Sequence, residues 1–340
     1  MARSQNKLID SFARNAIKLR ISITDRCNMR CVYCMPTNNN EWFEQNDILA
    51  YDEIVRLAGI LAKLGIEKIR ITGGEPLVRP KLEDLIRKLS NLDGIKSISM
   101  TTNGLFLRDK VMQLRDAGLK SINVSLDTFK EKEKKKKEPC RAITGVHGLG
   151  NVVSAMYAAE HAGLEVKVNT VIIRGWNDDE IVDFAKFARN TGYIVRFIEF
   201  MPLDGTGIWE PNLVVSKSET IKRINEDLKE LKPLCNKNSD PATLYSFVDG
   251  KGTLGFIPSI TEPFCENCDR MRITPVGRLL TCLYENPGYD LKALLRSGKS
   301  DDYITTYILE CIKKKPEGII SKIRGKELRP TLNLMHRIGG

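Results

Sequence analysis

Six of the nine cysteines fall in two triplets, Cys27-x3-Cys31-x2-Cys34 and Cys265-x2-Cys268-x13-Cys282. Three thiolates bunched on one loop can hold three irons of a four-iron cubane, which leaves the fourth iron open to a small chelating ligand. A zinc site needs a fourth ligand close by, and His147, His161 and His336 are all remote from the first triplet. The second triplet, completed by Cys235 or a histidine, would also suit a zinc ribbon, so both metals stay open there. An odd cysteine count in a chain whose first residues form no apolar leader argues against a disulfide framework and for a reducing compartment. Cys140, Cys235 and Cys311 lie outside the triplets and read as ordinary thiols.

Two further stretches carry chemistry. In Thr72-Gly73-Gly74-Glu75-Pro76 the glycines permit close approach of backbone to a ligand, Glu75 can accept from an amine, and Pro76 suits a first helical turn. A plain strand-to-helix turn would look the same. In Asp269-Arg270-Met271-Arg272 the two arginines project together if the stretch is extended, and paired guanidiniums suit phosphate oxygens.

Elements must hold these groups in place. Short β-branched runs alternate with helical patterns as far as residue 201. Strands are expected over 18–24, 67–72, 96–101, 121–126, 165–173 and 193–200, and helices over 52–64, 81–90, 109–117, 148–162 and 178–190. Alternating β and α elements require a parallel sheet with crossover helices. Arg20, Ser22 and Thr24 share one face of the first strand. The division recurs with Lys68, Arg70 and Thr72, with Ser97, Ser99 and Thr101, with Asn123, Ser125 and Asp127, and with Lys167 and Asn169. A doubly wound sheet would bury those cations under helices. The pattern therefore predicts an α/β chain whose sheet curls into a partial (β/α)6 TIM-type barrel with a wet lumen, although a sheet covered on one side only gives the same alternation. The first triplet then lies in the loop at the C-terminal end of the first strand, where such folds build active sites.

After Pro202 the pattern changes to one helix, about 216–231, followed by short strands punctuated by Gly and Pro and by a basic helical tail. We expect a barrel domain over 1–207 and a smaller C-terminal domain over 208–340 that closes it, with the change falling near 203–212. Lys plus Arg number 53 against 43 for Asp plus Glu, and the resulting +10 favours an anionic partner without choosing among nucleotide, nucleic acid and membrane headgroup. With 42% hydrophobic residues and no stretch approaching about 18 apolar residues, the disordered, fibrous and helical membrane-spanning classes are excluded. The charged run from Lys130 to Glu138 reads as a solvated loop, since no aromatic residues interleave with its lysines.

The first triplet, with Tyr33 before its last cysteine and Gly73-Gly74-Glu75-Pro76 after the second strand, resembles the radical S-adenosylmethionine enzymes. Two triplets on one chain narrow the resemblance to the GTP 3',8-cyclase family, which acts first in molybdenum-cofactor biosynthesis. The resemblance runs from about Leu8 to Gly339-Gly340. Its anchors include the stretches Leu19 to Asp25, Thr101 to Gly104, Ile122 to Asp127, Val166 to Thr170 and Arg196 to Met201. The charged stretch after Asp127 is several residues longer than the family pattern.

The resemblance implies that Cys27, Cys31 and Cys34 hold one 4Fe4S cluster and Cys265, Cys268 and Cys282 a second. It implies that Tyr33, Gly74, Ser125 and Met201 contact S-adenosylmethionine, and that Arg20, Arg70, Thr101, Lys167, Arg270, Met271 and Arg272 contact GTP. Arg196 would add a further cation; for any one of these cations an internal ion pair is the alternative. Gly339 and Gly340 would reach into the active site and support catalysis, although a frayed tail would look the same. The resemblance also implies a low-potential electron donor of flavodoxin or ferredoxin type, a downstream cyclic pyranopterin monophosphate synthase, a homodimer, a cytoplasmic location, and neither a membrane nor a nucleic-acid partner. Two rival functions differ in their metal and their annex. A peptide-modifying radical enzyme would carry more cysteines in its C-terminal part, and a zinc-bearing nucleic-acid-binding protein would hold zinc in place of iron.

Overall fold

The computed structural model describes residues 7–35, 42–130, 143–144, 148–203, 207–235, 240–325, 328 and 334–339. Cys140, His147, Gly340 and the charged run from Glu131 to Glu138 lie outside the described residues.

Six parallel strands pair as neighbours in chain order: β1 (Lys18–Ser22), β2 (Lys68–Thr72), β3 (Ser97–Thr102), β4 (Leu119–Ser125), β5 (Glu165–Ile172) and β6 (Ile194–Glu199). Each connection passes through a helix, in turn α1 (Tyr51–Lys63), α2 (Leu82–Ser90), α3 (Val111–Asp116), α4 (Leu149–His161) and α5 (Ile181–Thr191). Strand alternation sets the two faces. Along β5, Val166, Val168, Thr170 and Ile172 are buried while Lys167 and Asn169 face the other way. The buried face joins Leu19, Ile21, Ile69 and Val124 to the apolar stripes of the helices, such as Leu57 and Leu61 of α1 and Phe184 of α5, in one core.

The C-terminal part widens the same sheet at both edges. After α6 (Lys217–Asp227) come β7 (Leu231–Pro233), β8 (Thr243–Phe247) and β9 (Thr253–Ile257), and β9 pairs parallel with β6. On the opposite edge β10 (Arg270–Ile273) pairs parallel with β1, followed outward by β11 (Arg278–Leu280) and β12 (Tyr289–Asp290). The result is an open twelve-stranded sheet. Helices α7 (Leu291–Arg296), α8 (Asp301–Lys313), α9 (Ile319–Arg324) and α10 (Met335–Ile338) complete the chain.

That the sheet curls follows from its contacts. A flat sheet would separate β1 from β6 by five strand spacings, about 24 Å. Val32 and Tyr33 in the loop after β1 nevertheless pack in one cluster with Ile173 after β5 and Phe200 after β6, and Tyr33 bonds Asp127 after β4, so the lumen face is concave. The structure is thus a partial (β/α)6 barrel, as the polar face of the strands predicts. One element ends early: the helix expected to reach residue 231 stops at Asp227. The Asn225 side chain there accepts the Leu231 backbone N–H at 2.9 Å and turns the chain into β7.

Candidate active site

The loop from Ile23 to Met35 leaves the C-terminal end of β1 and carries Cys27, Cys31 and Cys34, all half-buried. Its shape is fixed from several sides. The backbone N–H groups of Cys34 and Met35 both donate to the Cys31 carbonyl at 3.0 Å, and Arg30 Nη1 donates to the carbonyls of Cys27 and Met29 at 2.8 and 2.9 Å. His336 Nδ1 lies 3.2 Å from the carbonyl oxygen of Cys34, so α10 touches the loop. The three thiols sense one another. Burial, then Asp127, then the other two cysteines hold Cys31 well above the ordinary thiol range, and burial followed by Cys27 pushes Cys34 up to about 12.

The glycine motif after β2 docks directly against this loop. Gly74 N–H donates to Thr24 O at 2.7 Å and Glu75 N–H to Arg26 O at 2.8 Å, and a Cβ on Gly74 would fall 2.3 Å from Arg26 O. The close approach serves backbone packing. Glu75, expected to receive an amine, is already engaged: its carboxylate accepts from Leu77 N at 3.1 Å, Thr102 Oγ1 at 2.7 Å and Asn103 N at 2.7 Å. Burial outweighs these donors and raises it to about 7. Asn103 Nδ2 in turn donates to Asn28 Oδ1 at 2.7 Å, so Glu75 steadies the cysteine loop through a chain that motif spacing does not reveal. Tyr33 donates its hydroxyl to Asp127 Oδ2 at 2.6 Å. Ser125 ends β4 and Met201 follows β6, both half-buried at the same end of the barrel.

The second triplet sits at the opposite end. Cys265 and Cys268 precede β10, and Cys282 follows β11, which runs antiparallel to it. Because Lys18 pairs with Arg270, these cysteines flank the N-terminal end of β1, about one strand length or roughly 15 Å from the first loop. Two buried cations hold them. Arg14 donates to the carbonyls of Cys265 at 2.9 Å, Glu317 at 2.9 Å and Pro316 at 2.7 Å, and pairs with Asp10 at 2.6 Å. Lys315 Nζ donates to the carbonyls of Cys268 at 2.9 Å and Arg270 at 3.1 Å. Burial pushes the Cys268 thiol up, but Arg270 and Lys315 more than offset it and hold it at about 7. A Cβ on Gly318 would lie 2.5 Å from the Cys265 sulfur, which needs that space.

Between the two ends lies a crowd of cations. Burial, then the charges of Arg272, Arg70, Arg270 and Arg196, push Arg20 well below the ordinary arginine range. Burial and neighbouring guanidiniums lower Arg272 and Arg196 to about 10 each. Among the described residues no carboxylate pairs with Arg20, Arg196 or Arg272. Arg70 donates to Ser99 Oγ at 3.1 Å, Arg270 lies 4.7 Å over the Phe264 ring, and Thr101 sits on the same face beside Asn123. Lys167 is already paired with Glu165 at 2.7 Å. Met271 points its side chain into the core, which leaves only its backbone toward the lumen. Arg196 lies across Gly255, where a Cβ would be 2.7 Å away, and bonds Asn123. Beside it Asn123 Nδ2, Asn169 Oδ1 and Arg196 Nε are buried without partners among the described residues, as ligand-binding groups would be. The tail enters this lumen: Arg272 Nη1 donates to the Gly339 carbonyl, and a Cβ on Gly339 would fall 2.3 Å from Thr72 Oγ1.

The donor sets fit iron–sulfur cubes. Each triplet gathers three thiols, yet among the described residues no His, Cys, Asp or Glu set is closed tightly enough to cage a single ion. A cubane spreads its thiolates over separate irons and needs no such cage. Of the remaining described cysteines, Cys235 is exposed and Cys311 is buried in α8; neither belongs to a triplet.

Fold and cysteine loop together define a radical S-adenosylmethionine enzyme, and residues 21–188 match the model of the radical SAM superfamily. Residues 193–320 match the family described as Molybdenum Cofactor Synthesis C. The chain is 43% identical over 333 residues to the GTP 3',8-cyclase of Thermodesulfovibrio yellowstonii, covering 97% of this chain and 99% of that one. It is 42% identical to the GTP 3',8-cyclase of Rhodopirellula baltica, over 98% of this chain and 92% of that one. The mitochondrial GTP 3',8-cyclase of Arabidopsis thaliana shares 38% over 91% and 77%. The chain belongs to the GTP 3',8-cyclase family. Its fold is also that of Streptococcus suis SuiB bound to S-adenosylmethionine, at TM-score 0.58 and 15% identity over 94% of this chain and 77% of that one. Among the described residues no helix is long and apolar enough to cross a membrane.

Proposed function

We propose that the chain cyclises GTP to (8S)-3',8-cyclo-7,8-dihydroguanosine 5'-triphosphate, the first step of molybdenum-cofactor biosynthesis. The observation that carries this reading is the cationic lumen, strung between two cysteine triplets, in which Arg20, Arg196 and Arg272 have no carboxylate ion-pair partner among the described residues. Cys27, Cys31 and Cys34 would hold one 4Fe4S cluster beside S-adenosylmethionine, and Cys265, Cys268 and Cys282 a second beside the nucleotide. When bound, these groups supply one-electron cleavage of S-adenosylmethionine, hydrogen removal from C3' of the ribose and closure onto C8 of the guanine.

The chain's own part is positioning. Arg20, Arg70, Arg270 and Arg272 bind the triphosphate, with Lys167 and Arg196 at its margin; Thr101 and the Met271 backbone complete the lining. A polyanion there relieves the repulsion that, after burial, lowers the affinity of Arg20 for its proton. Tyr33, Gly74, Ser125 and Met201 line the S-adenosylmethionine side. Gly339, donated to by Arg272, brings the tail against Ser22 and Thr72, excludes water and orients the ribose between the two ends; Gly340, outside the described residues, is assigned to the same catalytic tail. We place the barrel domain at 1–207 and the C-terminal domain at 208–340. A low-potential flavodoxin or ferredoxin as donor, a cyclic pyranopterin monophosphate synthase downstream, a homodimer and a cytoplasmic setting complete the reading.

Anaerobic reconstitution followed by incubation with reductant, S-adenosylmethionine and GTP tests it. Mass spectrometry should find the cyclised nucleotide. A protein carrying about eight irons that cleaves S-adenosylmethionine but leaves GTP intact would overturn it.

A further inference from the structure

The turn after Cys282 is held rigidly. The Glu285 carboxylate accepts from Thr281 N at 2.6 Å, Thr281 Oγ1 at 2.9 Å and Cys282 N at 3.4 Å, and Glu285 N–H returns to Cys282 O at 3.2 Å. Tyr284 rides on that turn. Its ring lies under α9, with Lys322 Nζ 6.0 Å from its centroid, and its hydroxyl oxygen is shut off from solvent with no hydrogen-bond partner among the described residues. Tyr284 stands two residues beyond Cys282, and the helix over its ring starts from its N-cap Gly318, which abuts the Cys265 sulfur, so the buried hydroxyl lies at the second cysteine site. Burying a phenol without a partner is costly, and structures seldom tolerate one that nothing satisfies. None of the protein groups around the site accepts from it. Arg272 can only donate, and it is committed to Gly339.

We propose that the Tyr284 hydroxyl donates a hydrogen bond to the iron–sulfur centre held by Cys265, Cys268 and Cys282, and thereby raises its reduction potential. The inference rests on the reading that this triplet binds a 4Fe4S cluster. A donor to a cluster sulfur stabilises the more negative, reduced state, so its removal shifts the potential downward. Sequence alone gives no hint of this, because a tyrosine two residues beyond a cysteine is as readily a packing aromatic.

The test compares the reconstituted wild-type chain with Tyr284→Phe, which deletes one oxygen and keeps the ring. Iron and sulfide are counted first, and each cluster is then titrated by anaerobic EPR-monitored potentiometry. The expected result is unchanged iron content, a more negative midpoint for the second cluster and an unmoved midpoint for the first. Equal midpoints for both clusters in the two proteins would overturn the proposal. If the wild-type chain itself takes up only about four irons, the reading of the second triplet has failed instead. A cluster lost from Tyr284→Phe but kept in Tyr284→Trp, whose N–H can donate in place of the hydroxyl, would support the donor role; loss from both would count against it.

Discussion

Replacing Lys315 by Met keeps the length of the side chain and removes its charge. The ammonium is 2% exposed and is spent on the backbone of the second cysteine loop, at 2.9 Å from Cys268 O and 3.1 Å from Arg270 O. Each bond from a charged donor is worth about 1.5–3 kcal/mol, so the pair contributes about 3–6 kcal/mol before the cost of burying the ammonium is deducted. A net loss of ~3 kcal/mol is expected, roughly a hundredfold in equilibrium terms. Asp10, 4.0 Å from the ammonium, loses that ion pair but keeps Arg14 at 2.6 Å, so the loss falls mainly on the segment from Cys268 to Arg270 and leaves the first loop alone. After anaerobic reconstitution the variant should therefore carry about four irons where the wild type carries about eight. Chemical denaturation of the apo-protein should show its midpoint lowered. A variant that holds both clusters and unfolds at the wild-type denaturant concentration would refute the assignment of Lys315 as the clasp of that loop.

Three further outcomes follow from the same geometry. Gly74→Ala drives a Cβ to within 2.3 Å of Arg26 O and 2.6 Å of Asp25 O, both backbone, so it should cost about 3 kcal/mol or more and abolish iron binding at the first triplet while sparing the second. Glu75, raised to about 7, binds its proton more tightly when folded than when unfolded. Wild-type stability relative to Glu75→Gln should thus be greatest below pH 4.5 and fall by ~3 kcal/mol as pH rises to 7, read by denaturation at several pH values; a flat difference would contradict the burial argument. Arg272→Ala frees the Gly339 carbonyl and removes one of the lumen cations that we propose bind the triphosphate, so cyclisation should fall by at least tenfold while both clusters and reductive cleavage of S-adenosylmethionine persist. Loss of all iron would show the arginine to be structural.

Strand positions were legible because alternation is a local property. Arg20 and Arg70 on one face and Leu19 and Ile21 on the other required only the two-residue period. The cysteine triplets were legible because ligands on one loop keep their spacing in any context. What the chain conceals is whatever is joined across distance. Arg14 clasps carbonyls some 250–300 positions away, and Lys315 reads in sequence as one more lysine of a basic tail. Glu75 looked free to bind an amine because its three donors come from Leu77, Thr102 and Asn103, the last two at the end of β3 and just beyond it. The overshoot of α6 to residue 231 has a local cause, the Asn225 side chain, which competes for a backbone donor as helical periodicity alone does not register.

The lumen shows where the fold gives up stability for function. Arg20 pairs in register with Arg70 on one side and Arg272 on the other, so three guanidiniums stand at neighbouring positions about 4.8 Å apart along the sheet. At an effective dielectric near 20, each adjacent pair repels by about 3 kcal/mol when its charged ends are ~6 Å apart. A single carboxylate at Ser99 or Thr101 would relieve that repulsion, and the strands offer hydroxyls there instead. An enzyme for a neutral or cationic substrate gains nothing from such an arrangement. In the function proposed above, a tetra-anionic nucleotide lying among the three guanidiniums offsets that repulsion, which adds to the affinity for a triphosphate and to the discrimination against a nucleoside without one.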